Sequence, residues 1–322
     1  INCELSAQEI DFYIKNTQDS LSDKIKNVLK LYEIAATKYD FAQDISYSSE
    51  VSKELLLITS KSEDYELFIS KIKSDDFELF SINEEIIKSI SGHIGNLQVI
   101  VDDEGEDVTL NVSQIVWFDA KQMGLDQSGT FDPNLSSVDE VIKTLKENIN
   151  SYSYKKFTTY DKSICQYDGR REVICSKCEE VCPTVAITKD DKTKTLTFSQ
   201  IDCHGCGGCI SVCPSGALEY APMNRESIYE VSKFYKETHP LIIPEKMNIR
   251  NLESFLKEGV LPLAIEGEKF LDESSFLTLL QMSGSQVIFY SDFLSKGSKD
   301  AIRIVNDIYQ KNRPVTFPGN SP

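Results

Sequence analysis

Nowhere does this sequence run for the roughly 20 continuous apolar residues that a membrane-spanning helix needs. Positive charge is also scarce: 34 lysines and arginines face 51 aspartates and glutamates, for a formal net charge of −17. Such a surplus disfavours nucleic acid and anionic lipid as partners and favours a basic protein patch, though acidity can also serve only solubility. No G-x-G-x-x-G occurs, so no glycine turn delivers backbone amides to a pyrophosphate, and FAD or nicotinamide binding is not expected. No Ser/His/Asp grouping, phosphate loop or zinc-protease helix is present either. The first ten residues lack the basic start and apolar run of a signal peptide, from which a cytoplasmic location is expected.

Cysteine is the exception, and it is concentrated. Eight of the nine cysteines fall within residues 165–213, while Cys3 stands alone and reads as a free thiol. Clustered thiols fit a reducing compartment, where they bind metal instead of pairing. Cys203, Cys206, Cys209 and Cys213 with Pro214 read C-x2-C-x2-C-x3-C-P. Cys175, Cys178 and Cys182 with Pro183 read C-x2-C-x3-C-P, and Cys165 lies nine intervening residues upstream. Two-residue spacers let a tight loop aim successive sulfurs at one centre, and the fourth thiolate must come from elsewhere. Gly205, Gly207 and Gly208 remove side chains where backbone must wrap closely, and the prolines fix the turn that leaves each run. Zinc is the rival metal for C-x2-C pairs, but it needs neither the third cysteine nor the C-P closure.

The two runs resemble two-[4Fe-4S] bacterial-type ferredoxins over residues 165–214. The repeat of 182–187 by 213–218 fits their pseudo-twofold β-α-β fold, with strands expected at 185–188 and 195–198. The resemblance implies that the fourth cysteine of each run crosses to the other cluster. Cluster II would then take Cys203, Cys206, Cys209 and Cys182. Cluster I would take Cys175, Cys178, Cys213 and a fourth ligand, which regular spacing puts at Glu172. Three outcomes stay open: Cys165 reaching in over its longer loop, a [3Fe-4S] cluster, or ligation by Glu172. Thiolate suits iron–sulfur better than carboxylate, which favours Cys165, and Gly169 lets its loop fold back. Arg170 and Arg171 would raise the cluster potential, form a docking contact, or simply be solvated. His204 is read as a solvated loop residue in preference to a proton-coupling group, and His93 and His239 have no recognisable partner.

The expected fold class is α/β plus α+β, with a central di-cluster domain between two small parallel-sheet regions behind an N-terminal helical segment. The segments are 1–50 (helical), 51–150 (α/β, Rossmann-like without the fingerprint), 151–222 (ferredoxin domain) and 223–322 (α/β docking domain). Charge is uneven: −16 over 1–150, 0 over 151–220 and −1 over 221–322. In the first segment Ser6 and Glu9 suggest a capping box, and Ile25, Val28, Leu29, Tyr32, Ala36 and Tyr39 form an apolar stripe for packing. Strands are expected at 55–59 and 77–82 around a helix at 65–73, then a hairpin and a return strand at 115–118. Residues 129–133 read as loop, and Ser137 with Glu140 caps the next helix. The aromatic alternation through Tyr152, Tyr154, Phe157 and Tyr160 reads as an edge strand or packing collar. After residue 223, helices at 224–238, 252–257, 272–282 and 299–311 alternate with strands at 241–243, 261–265 and 287–290.

Residues 91–96 and 115–118 resemble part of the heterodisulfide reductase flavoprotein family, though Asp119-Ala120 replaces its Ala-Thr-Gly turn. The last third resembles the small iron–sulfur subunit of methyl-viologen-type hydrogenase, without its cysteines. The whole chain resembles the long ferredoxin-type iron–sulfur proteins of epsilonproteobacteria, which are often associated with formate dehydrogenase. What these resemblances imply is an electron carrier between redox protein partners, with formate dehydrogenase among the candidates. The alternatives are an electron-input subunit of a flavin-containing complex or a structural iron–sulfur module.

Overall fold

A computed structural model describes residues 4–43, 45–59, 63–72, 76–118, 120, 127–249 and 256–309. Cys3, Asp119 and the expected helix over 252–255 lie outside these residues.

The chain opens with α1 (Glu4–Asn16) and α2 (Leu21–Phe41), which pack on each other. At the start of α2 the Ser20 hydroxyl accepts from the Asp23 amide at 3.2 Å. Ser6 lies inside α1, and the Glu9 carboxylate turns to the Ala264 amide and to Lys38. The expected stripe on α2 is also displaced. Leu31 and Ile34 are buried, whereas Ile25, Leu29, Tyr32, Ala36 and Tyr39 are exposed. Hydropathy cannot rank two apolar stripes on one helix. Here Asn27 selects between them, because its amide donates to Tyr13 Oη and to Asp19 from the buried side.

A short strand β1 (Ser46–Ser49) leads into an α/β layer: β2 (Glu54–Thr59), α3 (Glu63–Lys71) and β3 (Glu78–Asn83). The meander β4 (Ile87–His93), β5 (Asn96–Asp103) and β6 (Glu106–Val112) follows, then β7 (Gln114–Trp117), β8 (Thr130–Phe131), α4 (Val138–Asn148) and β9 (Tyr152–Lys155). Strands β3-β2-β7-β8 form a parallel sheet. Leu55 and Leu57 of β2 pack in a core with Phe68 and the apolar face of α4, and Leu56 and Ile58 in a second core with the meander. Burial on both faces is why this strand reads as an unbroken apolar run. Residues 130–131, expected in a loop, instead pair with β7 because the return strand still has an open edge there. The capping box of Ser137 and Glu140 is present at α4. β9 pairs antiparallel with β1, and Tyr154 stacks on Tyr47.

The cysteine region contains β10 (Thr158–Tyr160), α5 (Lys177–Glu180), β11 (Ile187–Asp190), β12 (Thr195–Phe198), α6 (Gly208–Ser211) and β13 (Leu218–Tyr220). Its strands form two antiparallel pairs, β10–β13 and β11–β12. The last third holds α7 (Arg225–Ser232), β14 (His239–Pro244), β15 (Val260–Ile265), α8 (Glu273–Ser283), β16 (Ile288–Phe289) and α9 (Lys296–Tyr309). Its sheet is parallel, in the order β15-β14-β16. Asn224 and Asp272 cap α7 and α8 through their side chains, and Gly284 ends α8 in the left-handed region. Leu256, expected in a helix, pairs with Thr17 instead.

The largest core unites the two ends of the chain. Tyr13, Leu31 and Ile34 from the N-terminal helices share it with Tyr235, Leu261 and Phe276. Among the described residues, no helix is long and apolar enough to cross a membrane.

Candidate iron–sulfur site

All eight described cysteines are free thiols; Cys165 is buried and the other seven are half-buried. They divide between two cavities. One is lined by Cys182, Cys203, Cys206 and Cys209, the other by Cys165, Cys175, Cys178 and Cys213. Each therefore collects thiols from two separated stretches of sequence. Glu172 is exposed and lines neither. A larger hollow is lined by residues 48–53 and 149–151, four of them serines, and contains no thiol. Among the described residues, no three His, Cys, Asp or Glu side chains converge as ligands of a single metal ion. The thiols stand around a space instead, which suits a cluster whose several irons each take one protein sulfur.

Local chemistry repeats across the two halves. Cys182 Sγ lies 3.6 Å from Thr184 Oγ1, and Cys213 Sγ lies 3.8 Å from Ser215 Oγ, each hydroxyl two residues beyond its cysteine. The thiols also repel one another's ionised forms. Burial, then the neighbouring Cys213, pushes the Cys178 thiol up to about 12. Burial raises Cys209 as well, followed by Cys203, Cys206 and Cys182. Ionising these buried thiols beside one another without a cation is unfavourable, and bound iron would relieve it.

The longer loop before Cys175 is held by contacts that pattern reading did not single out. Cys165 Sγ accepts from the amides of Tyr167 and Asp168, both at 3.4 Å. Asp168 is 5% exposed and accepts from Tyr160 Oη at 2.9 Å and the Leu196 amide at 3.3 Å. Lys162 Nζ sits 2.7 Å from its other oxygen. Burial raises the Asp168 pKa, but these donors outweigh it and hold the carboxyl below its ordinary value. Arg170 donates to the carbonyls of Cys165 (2.7 Å) and Ser163 (3.1 Å), so its guanidinium clips the loop. Arg170 is itself exposed, so this loop contact stands beside the three roles expected for it. No spacing rule links Tyr160 to Asp168, which explains why the sequence was silent about their contact.

Residues 173–217 match the family described as 4Fe-4S dicluster domain. The region is a ferredoxin-type iron–sulfur domain. A stretch of 50 residues is also 40% identical to the polyferredoxin protein MvhB of Methanothermus fervidus. That alignment covers 13% of this chain and 12% of the polyferredoxin, so the likeness concerns a small part of each. The dicluster domain carries an iron–sulfur electron-transfer role. Cys165 precedes the matched segment, and its place in the second cavity comes from the fold.

The three histidines fall outside the thiol sets. His93 Nδ1 lies 2.9 Å from the Ile94 carbonyl and His239 Nδ1 3.3 Å from that of Gln286, partners the sequence did not reveal. His204 is exposed at the edge of the first cavity.

Proposed function

We propose that this chain holds two [4Fe-4S] clusters and relays single electrons between redox protein partners. The observation that carries the reading is the division of eight thiols into two sets of four, each around its own cavity. Cluster II is assigned to Cys182, Cys203, Cys206 and Cys209, and cluster I to Cys165, Cys175, Cys178 and Cys213. Cys165 is preferred to Glu172 because it lines the cavity and its sulfur already accepts two amide hydrogen bonds. Each cluster would take up one electron at a time. The chain's residues would supply ligation, amide donors and exclusion of water, without bond-making chemistry of their own. Free thiol ligands fit a cytoplasmic setting, and the sheets on either side would select partners. Formate dehydrogenase follows as a candidate partner from the family resemblance alone.

Iron and sulfide analysis of anaerobically prepared protein tests this reading, with about eight of each expected from two four-iron centres. Zinc without iron would overturn it. A flavin spectrum in the purified protein would favour the input-subunit alternative, and clusters that cannot be reversibly reduced would favour the structural one.

A further inference from the structure

Helix α2 carries two apolar stripes, and the fold of its own chain uses one of them. Asn27, Leu31 and Ile34 are buried. Across the helix, Ile25, Leu29, Tyr32, Ala36 and Tyr39 follow at steps of four, three, four and three, the 3.5-residue period of a coiled-coil seam. Among the described residues nothing covers them: Ile25 is 56% exposed, Leu29 61%, Tyr32 49% and Tyr39 80%, and Ala36 is exposed as well. An apolar band this long on one face of a 21-residue helix marks an interaction surface.

The two flanks of the seam determine what fits it. One flank holds Lys26, Glu33 and Asp40, all exposed; the other holds Leu21, Val28 and Ala35, none of them charged. The remaining lysines of α2 turn to their own chain. Lys24 Nζ donates to the Ile14 carbonyl at 2.9 Å, Lys30 Nζ to that of Lys236 at 3.5 Å, and Lys38 Nζ to that of Ala264 at 2.8 Å. Along the charged flank the sign therefore runs from positive at Lys26 to negative at Glu33 and Asp40, and the flank is complementary to itself read backwards. An antiparallel second copy of α2 sets charged flank on charged flank and apolar flank on apolar flank. Lys26 then lies beside the partner's Glu33, and Val28 beside the partner's Ala35. A parallel copy would set Lys26 against the partner's Leu21 and Glu33 against the partner's Val28, covering charge with apolar side chains. An anionic lipid surface is disfavoured by the net charge of −17.

We propose that α2 is the interface of a homodimer, in which two copies of this chain pair their α2 helices antiparallel about a twofold axis. Centred between Lys30 and Leu31, the register packs Leu29 on the partner's Tyr32 and Ile25 on the partner's Ala36, so that a large side chain meets a small one at each end. The symmetry supplies every contact twice, including two Lys26–Glu33 pairs at the rim. The helix is about 30 Å long at 1.5 Å per residue, and the seam runs along most of it. This surface lies outside the cysteine region, so dimerisation stands independently of what the thiols hold.

Light scattering and sedimentation equilibrium on the full, iron-loaded chain test this at physiological ionic strength, where repulsion between two chains of charge −17 is screened beyond about 8 Å. The mass should rise with concentration from the chain's 36.4 kDa toward twice that value. Leu29→Glu, near the centre of the seam, should give monomer at every concentration while keeping its iron and helix content. Leu135→Glu, at a leucine 76% exposed elsewhere in the chain, should leave the dimer intact. A monomer throughout, or a dimer that survives Leu29→Glu, overturns the proposal. A monomer that floats with phosphatidylcholine vesicles overturns it too, and makes a lipid surface the occupant.

Exchanging the rim charges tests the antiparallel register. Lys26→Glu and Glu33→Lys should each raise the dissociation constant about 10-fold, because two symmetry-related pairs are lost at once. The double variant restores both pairs with their signs exchanged and should recover most of the affinity. Single variants that leave the affinity unchanged, or a double variant as weak as the singles, overturn the register. A chain without iron would still dimerise through α2, so failure of the iron–sulfur reading and failure of this one are told apart.

Discussion

The Tyr160 hydroxyl donates to Asp168 at 2.9 Å, and the Asp168 amide in turn faces the sulfur of Cys165. One carboxylate thus joins a strand of the dicluster domain to the loop that presents its outlying thiol. Removing a hydrogen bond to a buried charged group costs about 2 kcal/mol, so Tyr160→Phe should lower stability by roughly that amount. Asp168→Ala should cost more, because it also leaves Lys162 without its 2.7 Å partner. Chemical denaturation measures the stability, and iron should be lost from cluster I before cluster II.

Cys165 and Glu172 make opposite predictions for iron content. Cys165→Ala should reduce about eight irons to about seven and yield a three-iron spectrum, while Glu172→Gln should leave both unchanged. Iron analysis with electron paramagnetic resonance decides between them; the reverse pattern would make the carboxylate the ligand.

Alkaline pH separates cluster-free from loaded protein. Burial and then Cys213 raise the Cys178 thiol from 9.0 to about 12. The cluster-free fold therefore favours the neutral thiol, whereas the unfolded chain ionises near the ordinary value. That stabilisation is complete below pH 9.0 and is lost as pH rises toward about 12. In loaded protein the thiolates are bound to iron, so its melting temperature should fall less over the same range.

Acid acts at another joint. Burial raises the Asp19 pKa, but donation from Tyr13, the Gly259 amide and Asn27 outweighs it and brings the carboxyl below its ordinary value. This contribution is present above the unfolded pKa, about 3.9, and is lost as pH falls through the lower folded value. Asp19→Asn should therefore reduce stability at neutral pH and flatten the acid limb of a melting curve.

Gly207 has a φ of 78° and Phe270 against it. Gly207→Ala should lose about 1–2 kcal/mol to the left-handed backbone, with the clash adding to this. Spectroscopy should find cluster II depleted and cluster I retained.

The cysteine spacing made the two metal-binding runs legible, because two-residue spacers and C-P closures answer directly to cluster geometry, while the crossing of each fourth cysteine was an implication of the ferredoxin resemblance. Apolar runs likewise located β2, β7, β14 and β15, strands buried on both faces. What remained hidden depended on tertiary choice. The buried stripe of α2 is selected by Asn27 reaching Tyr13 and Asp19, and the loop contact of Arg170 by two carbonyls folded beneath it. The lid of Phe270 over Gly207 joins residues far apart in sequence, and no local pattern announces it.

That lid also bears on the order of assembly. A ribosome completes every cysteine through Cys213 before it reaches Phe270, so the iron-binding loops emerge while their cover is still unmade. The N-terminal helices must wait still longer, because Lys38 reaches its Ala264 acceptor across 226 positions. The final third of the chain thus covers the 203–209 loop only after all of its thiols have been made.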